Sequence, residues 1–295
     1  MQYRADTLGL SGSVTTILRD LIHEQLGLAY ESHQFDQVAD RLAPLVVSRG
    51  LTSFLDYYYL LKYSAEPTEW LKVIDALAVQ ETYFWREIDQ LRAVVNCLIP
   101  ELVRALNGTP LRIWSVPCAT GEEPLTIAML LSEAGWFDRA PIELLASDAS
   151  PAAVARAEKG EYSERAFRNL PRAMRDKYFV AHNDRWRVVP WLHRKVSYDV
   201  VNLMAEEQVA RHARAPIIFC RNVFIYFSDR SIRRAVSVFE RCMPAPAYLC
   251  VAASESLLRR TTTFELQEIG GAFIYVKNLP HTDRPASVPE IEKAL

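Results

Sequence analysis

The run VPCATGEEPLTIAM (116–129) places two carboxylates, Glu122 and Glu123, between a glycine and a proline. Pro124 suits a first helical turn, so the run reads as a loop passing into a helix. Two chemistries fit it. Thr120 and Glu123 match a capping box, and acids favour a helix N-terminus. Alternatively, paired carboxylates beside a glycine turn repel a diphosphate and welcome a cationic amino-acid group, such as the α-ammonium of S-adenosylmethionine. Asp148, in LLASDASP, can accept from both hydroxyls of a ribose; the competing role, capping a helix that begins near Pro151, suits Ser150 better. Asn202 and Leu203 offer an amide and an apolar contact for an adenine, although an N-L pair means nothing without its neighbours.

These residues need a frame that brings distant positions together. LRIWSV (111–116) and IELLAS (142–147) are strand-like runs flanking the helical stretch EEPLTIAMLLSEAG, which makes a βαβ unit with a parallel sheet. APIIFC (215–220), AYLCVAAS (247–254) and GAFIYVKN (271–278) add strands, and a helix starting at Ser228 or Asp229 follows the first of them. The pattern predicts an open doubly wound α/β domain with its ligand at the carboxyl ends of the first strands. Between 161 and 200 the rhythm breaks: RWRVV (185–189) and RKVSYDVV (194–201) read as short strands of a small antiparallel subdomain. Residues 10–75 carry apolar positions at three- and four-residue intervals and read as helical throughout, with Ser13 as an N-cap, Gly27 and Gly50 as punctuation, Thr52 capping FLDYYYLLKY, and a further helix after Pro67. The expected division is a helical domain at 1–80, the α/β domain at 81–279 and a proline-bearing tail or linker at 280–295.

Composition excludes several classes. With 34 basic and 36 acidic residues among 295, no global charge favours nucleic acid or an anionic membrane. Residues 1–80 hold six Lys or Arg against ten Asp or Glu and make a poor phosphate binder. The glycine-rich phosphate motifs of dehydrogenases and P-loop enzymes are missing. Five cysteines without a C-x-x-C pair suggest a reducing compartment, and no uncharged apolar stretch approaches the roughly 18 residues of a membrane span, so a cytoplasmic location without membrane insertion is expected. The six histidines show no metal-ligand spacing, and no metal is expected.

Six runs in order, ETYFWRE (81–87), ATGEEPLTIAM (119–129), ASDAS (146–150), NLM (202–204), IIFCRNVFIYF (217–227) and ASESL (253–257), resemble the CheR-type chemoreceptor glutamate O-methyltransferases. The resemblance implies a Rossmann-like S-adenosylmethionine-dependent methyltransferase domain with a small antiparallel β-subdomain, preceded by an all-helical N-terminal domain. It implies S-adenosyl-L-methionine as cofactor, S-adenosyl-L-homocysteine as product, and glutamyl methyl esters on the cytoplasmic domain of a methyl-accepting chemoreceptor, in chemosensory adaptation. By the same resemblance Thr82 and Arg86 contact the cofactor, with Gln80 where the family usually has Asn. Glu123 holds the methionine moiety, Asp148 the ribose, and Asn202 with Leu203 the adenine side. Asn222 and Tyr226 line the methyl-transfer end, which Arg221 helps to shape.

A glutamate with pKa near 4.3 is already ionised at neutral pH, so methylating it needs no general base, and positioning does most of the work. An arginine can fork onto a carboxylate and a tyrosine hydroxyl can fix a second oxygen, which makes Arg86 and Tyr226 the catalytic candidates. The bland alternatives are a surface salt bridge for Arg86 and a core aromatic for Tyr226. Rival functions are a methyltransferase acting on RNA or a small molecule, and an idle S-adenosylmethionine sensor; the sequence has no basic stripe with stacking aromatics, and the stretch around Arg172, Arg175 and Lys177 reads as a solvated helix face. Val116-Pro117-Cys118 and Ala252-Ala253-Ser254-Glu255 depart from the family's small-residue lead and its G-H-S-E. YESHQFDQVADRLAP (30–44) is acidic where the family presents basic residues to a receptor. The insertion between Phe179 and Asn202 is short, so tethering of a receptor's C-terminal peptide is not expected.

Overall fold

The computed structural model describes residues 8–64, 66–261 and 263–278; the expected tail at 280–295 lies outside them. Helices α1 (Gly12–Leu26), α2 (Phe35–Ser48), α3 (Phe54–Tyr63) and α4 (Pro67–Leu77) turn their apolar faces onto one core, in which Leu18, Phe35, Leu42, Phe54 and Tyr57 are fully buried. Two caps differ from expectation. Ser11, not Ser13, caps α1, and Ser53, not Thr52, caps α3, its Oγ accepting from Asp56 N at 3.1 Å. In both cases the capping residue is the last extended one before the helix, as N-cap geometry requires.

A helix α5 (Ile88–Ala93) runs through a π-turn into α6 (Ile99–Leu106) and leads to the sheet. There follow β1 (Leu111–Ser115), α7 (Glu122–Glu133), a one-turn α8 (Trp136–Arg139), β2 (Ile142–Asp148) and α9 (Pro151–Lys159). The insertion contributes β3 (Glu161–Tyr162), α10 (Arg172–Tyr178), β4 (Phe179–His182) and β5 (Arg185–Val188). Then come a short α11 (Pro190–His193), β6 (Val196–Val200), α12 (Glu206–His212), β7 (Ile217–Phe219), α13 (Asp229–Cys242), β8 (Ala247–Cys250), β9 (Glu265–Ile269) and β10 (Ala272–Lys277).

The main sheet has seven strands in the order β6-β2-β1-β7-β8-β10-β9, parallel except for β10 and β9. Chain order reverses direction across β1, with β2 on one side and β7 on the other, so a crevice opens at their carboxyl ends. Two strand assignments are corrected. RKVSYDVV is not part of the antiparallel subdomain: β6 pairs parallel with β2, Val200 opposite Asp148. An edge strand with polar outer positions has the same alternation in either setting, so only the partner decides. β9 escapes the sequence reading because Glu265 and Glu268 are charged and its apolar residues, Leu266 and Ile269, do not alternate; it forms a hairpin with β10 through Gly270 and Gly271, both at positive φ. The small antiparallel sheet is real but consists of β3-β5-β4, with β4 and β5 joined by two residues, Asn183 and Asp184.

The helical part docks on the amino ends of two α/β-domain helices. Asp75 accepts from Ser150 Oγ at 2.5 Å and Ala152 N at 3.1 Å, and so adds a carboxylate to the start of α9. His23 meets Ser228 Oγ, the cap of α13, at 2.7 Å, and Leu28 bridges to Phe227.

Candidate active site

The loops leaving β1, β2, β6 and β7 converge on a cleft of about 360 Å³ between the helical part and the sheet, within the size of small-molecule sites. A smaller recess of about 60 Å³ shares Pro117, Asp148 and Asn222 with it.

Residues 80–87 form one wall, and Phe84 fixes them. Its ring is fully buried in an aromatic cluster with Tyr162, Phe167 and Phe179 from the insertion, at centroid distances of 4.8, 5.2 and 5.0 Å. Trp85 N donates to Thr126 Oγ1 of α7 at 3.3 Å. The segment is thus held from two sides, and Thr82 and Arg86 line the small recess. Arg86 donates to Glu81 O at 2.9 Å, and its nearest carboxylate, on Glu87, is 3.9 Å away. The surface-salt-bridge reading is therefore the weaker one. Gln80 lines the larger cleft and accepts from Arg156 at 2.7 Å.

The loop after β1 does not form the capping box. Gly121, at φ 96°, is the N-cap of α7 and brings no side chain, while Thr120 Oγ1 donates to Glu122 at 2.7 Å. A Cβ at Gly121 would lie 3.0 Å from Ala157 Cβ and the Tyr162 hydroxyl, a tight approach, and the φ of 96° itself favours glycine. Glu123 is left for other work. Its carboxylate accepts from Ser115 Oγ at 2.8 Å and from Arg221 at 3.0 Å. Burial pushes its pKa up and the Arg221 guanidinium opposes that. Glu122 is buried without a cationic partner in contact, and burial pushes it up to about 7.

Asp148 sits at the carboxyl end of β2. Its two oxygens accept from Ala119 N and Ser150 N, both at 2.9 Å, which ties the loops after β1 and β2 together. With the amide of Ala149 as a third donor, one of the carboxylate's four lone-pair sites is left for a hydroxyl. Ser150 is the cap of α9, so Asp148 is not used in that role. Burial raises its pKa against the amides of Ser150, Ala119 and Ala149.

Arg221 is the hub. Its side chain is 1% exposed and reaches Glu123 at 3.0 Å, Glu87 at 3.3 Å and the carbonyl of Arg86 at 3.0 Å. Its Nε has no hydrogen-bond partner among the described residues. Asn222, at φ 61°, lies in both recesses; Tyr226 is 36% exposed in the larger one, which removes the core-aromatic reading. Arg86 and Tyr226 consequently flank Asn222 from different recesses. Asn202 donates to Gln25 O at 2.9 Å and accepts from Met204 N, so much of its amide fixes the loop after β6, beside the cleft-lining Leu203.

Two residues of the site were not singled out from the sequence. Glu87, at φ 47°, pairs with Arg221 and accepts from Ala253 N at 3.2 Å. Glu255 gathers the amides of Asn222, Phe224, Ile225 and Ala252, the first at 2.9 Å, and thereby shapes the turn after β7. Both lie inside runs that carried the family resemblance, which was the available signal. Arg41 and Tyr30, from the helical part, also line the larger cleft, and nothing in their own sequence context marked them. Trp85, Glu87, Ala119 and Asn222, all in these walls, adopt positive φ, a backbone state that costs a side chain about 1–3 kcal/mol and persists where its surroundings enforce it.

The donor set fits an amino-acid-bearing nucleoside: a half-buried acid beside an arginine with an orphaned N–H at one end, an acid with a spare lone pair at a strand terminus in the middle, and an apolar wall beyond. Residues 80–272 match the CheR methyltransferase SAM-binding domain and residues 16–78 the CheR methyltransferase all-alpha domain. The chain is 34% identical over 266 residues to chemotaxis protein methyltransferase 2 of Vibrio cholerae, covering 89% of this chain and 91% of that one. It is 29% identical over 243 residues to the chemotaxis protein methyltransferase of Borreliella burgdorferi, with 80% and 86% covered. To the Escherichia coli chemotaxis protein methyltransferase it is 28% identical over 266 residues, with 89% and 91% covered. The fold and cleft are those of an S-adenosylmethionine-dependent methyltransferase. The chain belongs to the CheR methyltransferase family, with S-adenosylmethionine as its cofactor.

Proposed function

We propose that the chain transfers a methyl group to glutamate side chains of the cytoplasmic domain of a methyl-accepting chemoreceptor. The reading divides the chain near residue 80 into a helical part and a catalytic part. The observation that carries it is the Glu123–Arg221–Glu87 network beside Arg86: cationic groups for carboxylates, acids for an ammonium, and no general base, which ester formation from an ionised glutamate does not need.

S-adenosylmethionine, when bound, supplies a sulfonium-activated methyl. Glu123 accepts from its ammonium, Asp148 from its ribose, and Thr82 and Gln80 contact it from the outer wall. Asn202 and Leu203 form the adenine side. Arg86 receives the substrate carboxylate and Tyr226 borders the transfer end with Asn222. The walls hold these groups in place before substrate arrives, so little reorganisation accompanies transfer.

Five free cysteines support a reducing, cytoplasmic setting, and no helix among the described residues is long and apolar enough to cross a membrane. The two-residue β4–β5 turn supports the absence of peptide tethering. The test is incubation with methyl-labelled cofactor and receptor cytoplasmic fragments. Methanol released by base supports glutamyl esters; alkali-stable label, or cofactor binding without transfer, overturns the reading.

A further inference from the structure

The charge of the molecule is divided. Against the acidic helical part, residues 151–195 carry eleven Lys or Arg and five Asp or Glu. Several of those cations are answered locally: Arg172 by Asp176, Arg175 by Glu164, Lys177 by Glu133, and Lys159 and Arg187 by Glu161. Three of the other six, Arg156, Arg165 and Arg168, lie at the mouth of the cleft. Arg165 and Arg168 share one carboxylate, Glu81, at 3.2 and 2.9 Å. Arg168 lies over the Tyr83 ring at 3.6 Å, with Arg86 near the same ring at 5.6 Å. Among the described residues Arg156 meets the neutral amide of Gln80. Glu81, Tyr83 and Arg86 line the small recess, so this arginine cluster is its outer rim.

In the helical part Arg49 binds Glu66 and Glu69 and Lys72 binds Glu69, while Lys62 is held by the Tyr58 hydroxyl at 2.7 Å and Arg41 turns to the larger cleft. Six cations against ten acids leave that part acidic overall. Arg165 and Arg168, answered by one carboxylate on a frame fixed by Phe84, and Arg156 on a neutral amide form a preorganised positive field beside the proposed methyl-transfer point.

We propose that Arg156, Arg165 and Arg168 form the docking face for an acidic, glutamate-bearing helical surface of the receptor, in place of the helical domain. The inference rests on the glutamate-methylation reading above. Charges at the rim of an interface act mainly through encounter and salt dependence.

The test uses the full chain, labelled cofactor and a purified receptor cytoplasmic fragment. For Arg165→Glu/Arg168→Glu the expected result is a rise of about tenfold in KM for the fragment, kcat within about twofold, and a flatter dependence of KM on salt. Arg165→Glu alone, which leaves the Tyr83 stack in place, is expected to raise KM about threefold. Lys62→Glu in the helical part should leave KM unchanged, and S-adenosylhomocysteine affinity should be unchanged in all three. If the wild type forms base-labile esters while KM and its salt slope are the same in both arginine variants, the docking proposal fails and the function stands. An equal rise from Lys62→Glu also overturns it. RNA that competes with the fragment for the wild type but not for the arginine variants would reassign the rim to a polyanion. If the wild type makes no ester, the functional reading has failed first.

Discussion

Glu69 in the helical part and Glu123 in the cleft are both carboxylates taken out of water beside an arginine, yet they are built for different ends. Glu69, 1% exposed, receives donors from Arg49, Lys72 and the Tyr57 hydroxyl. Burial alone would raise its pKa, but those donors overcome it and hold the carboxyl below its usual value. Glu123 has one arginine and one serine, and burial wins. A saturated acid is a cross-link; an undersatisfied one facing a cleft is a place for a ligand.

The largest effect expected from this contrast is in Arg221→Met. Removing the hub leaves the half-buried Glu123 and Glu87 without their shared cation, which should cost about 1–3 kcal/mol of stability and abolish cofactor binding. Denaturant unfolding with and without S-adenosylhomocysteine measures both. A loss below about 1 kcal/mol would show that water already solvates the pair.

Glu122 sharpens the comparison through pH. Its folded pKa, about 7, lies above its ordinary 4.5, so between those values the folded chain keeps a proton that the unfolded chain has lost. Stability therefore falls as pH rises through that window, by about 3 kcal/mol. Glu122→Gln should remove this slope, stabilising the protein at pH 8 and not at pH 4. Glu69 has the opposite sign: with its pKa lowered, its contribution is present at neutral pH and lost as pH falls below the ordinary carboxylate range. Unfolding curves at several pH values separate the two, and a Glu122→Gln variant that keeps the neutral-side slope would refute the assignment.

Exchanging the two acids for amides gives a smaller, crossed result. Glu123→Gln should weaken S-adenosylhomocysteine binding about a hundredfold with little loss of stability, since a charged hydrogen bond is worth about 1.5–3 kcal/mol. Glu69→Gln should destabilise without touching affinity. Calorimetry on both variants decides, and equal affinity losses would collapse the distinction.

Much of this site was legible because it hangs on strand ends. Glu123, Asp148 and Ser150 sit at fixed distances after apolar runs, and a parallel sheet brings such positions together whatever the loops contain. What hid was what depends on partners far along the chain. β6 and a hairpin strand look alike until β2, about 50 residues earlier, is known to pair with it. Glu87 and Glu255 act through a left-handed backbone and converging amides, which residue type does not reveal. Arg41 and Tyr30 reach the cleft only because the helical part docks on α9 and α13. Ser11 and Ser53 replaced their neighbours because a cap is chosen by where the backbone first turns helical.

Arg86 tests the functional side of the same contrast. Unlike Arg221 it is not the centre of a buried network: it is bonded to the Glu81 carbonyl and lies at the recess wall, so its removal leaves no acid stranded. Arg86→Ala should therefore fold normally and lower turnover about tenfold or more, equivalent to about 1.4 kcal/mol of transition-state stabilisation. If Arg86 grips the substrate carboxylate, the loss falls on transfer to the receptor more than on S-adenosylhomocysteine affinity. Arg86→Lys should recover part of it, because a point charge attracts the carboxylate without forking onto it. Normal transfer by Arg86→Ala would move the carboxylate to another cation, and Arg41, in the larger cleft with Tyr226, is the one positioned to take it.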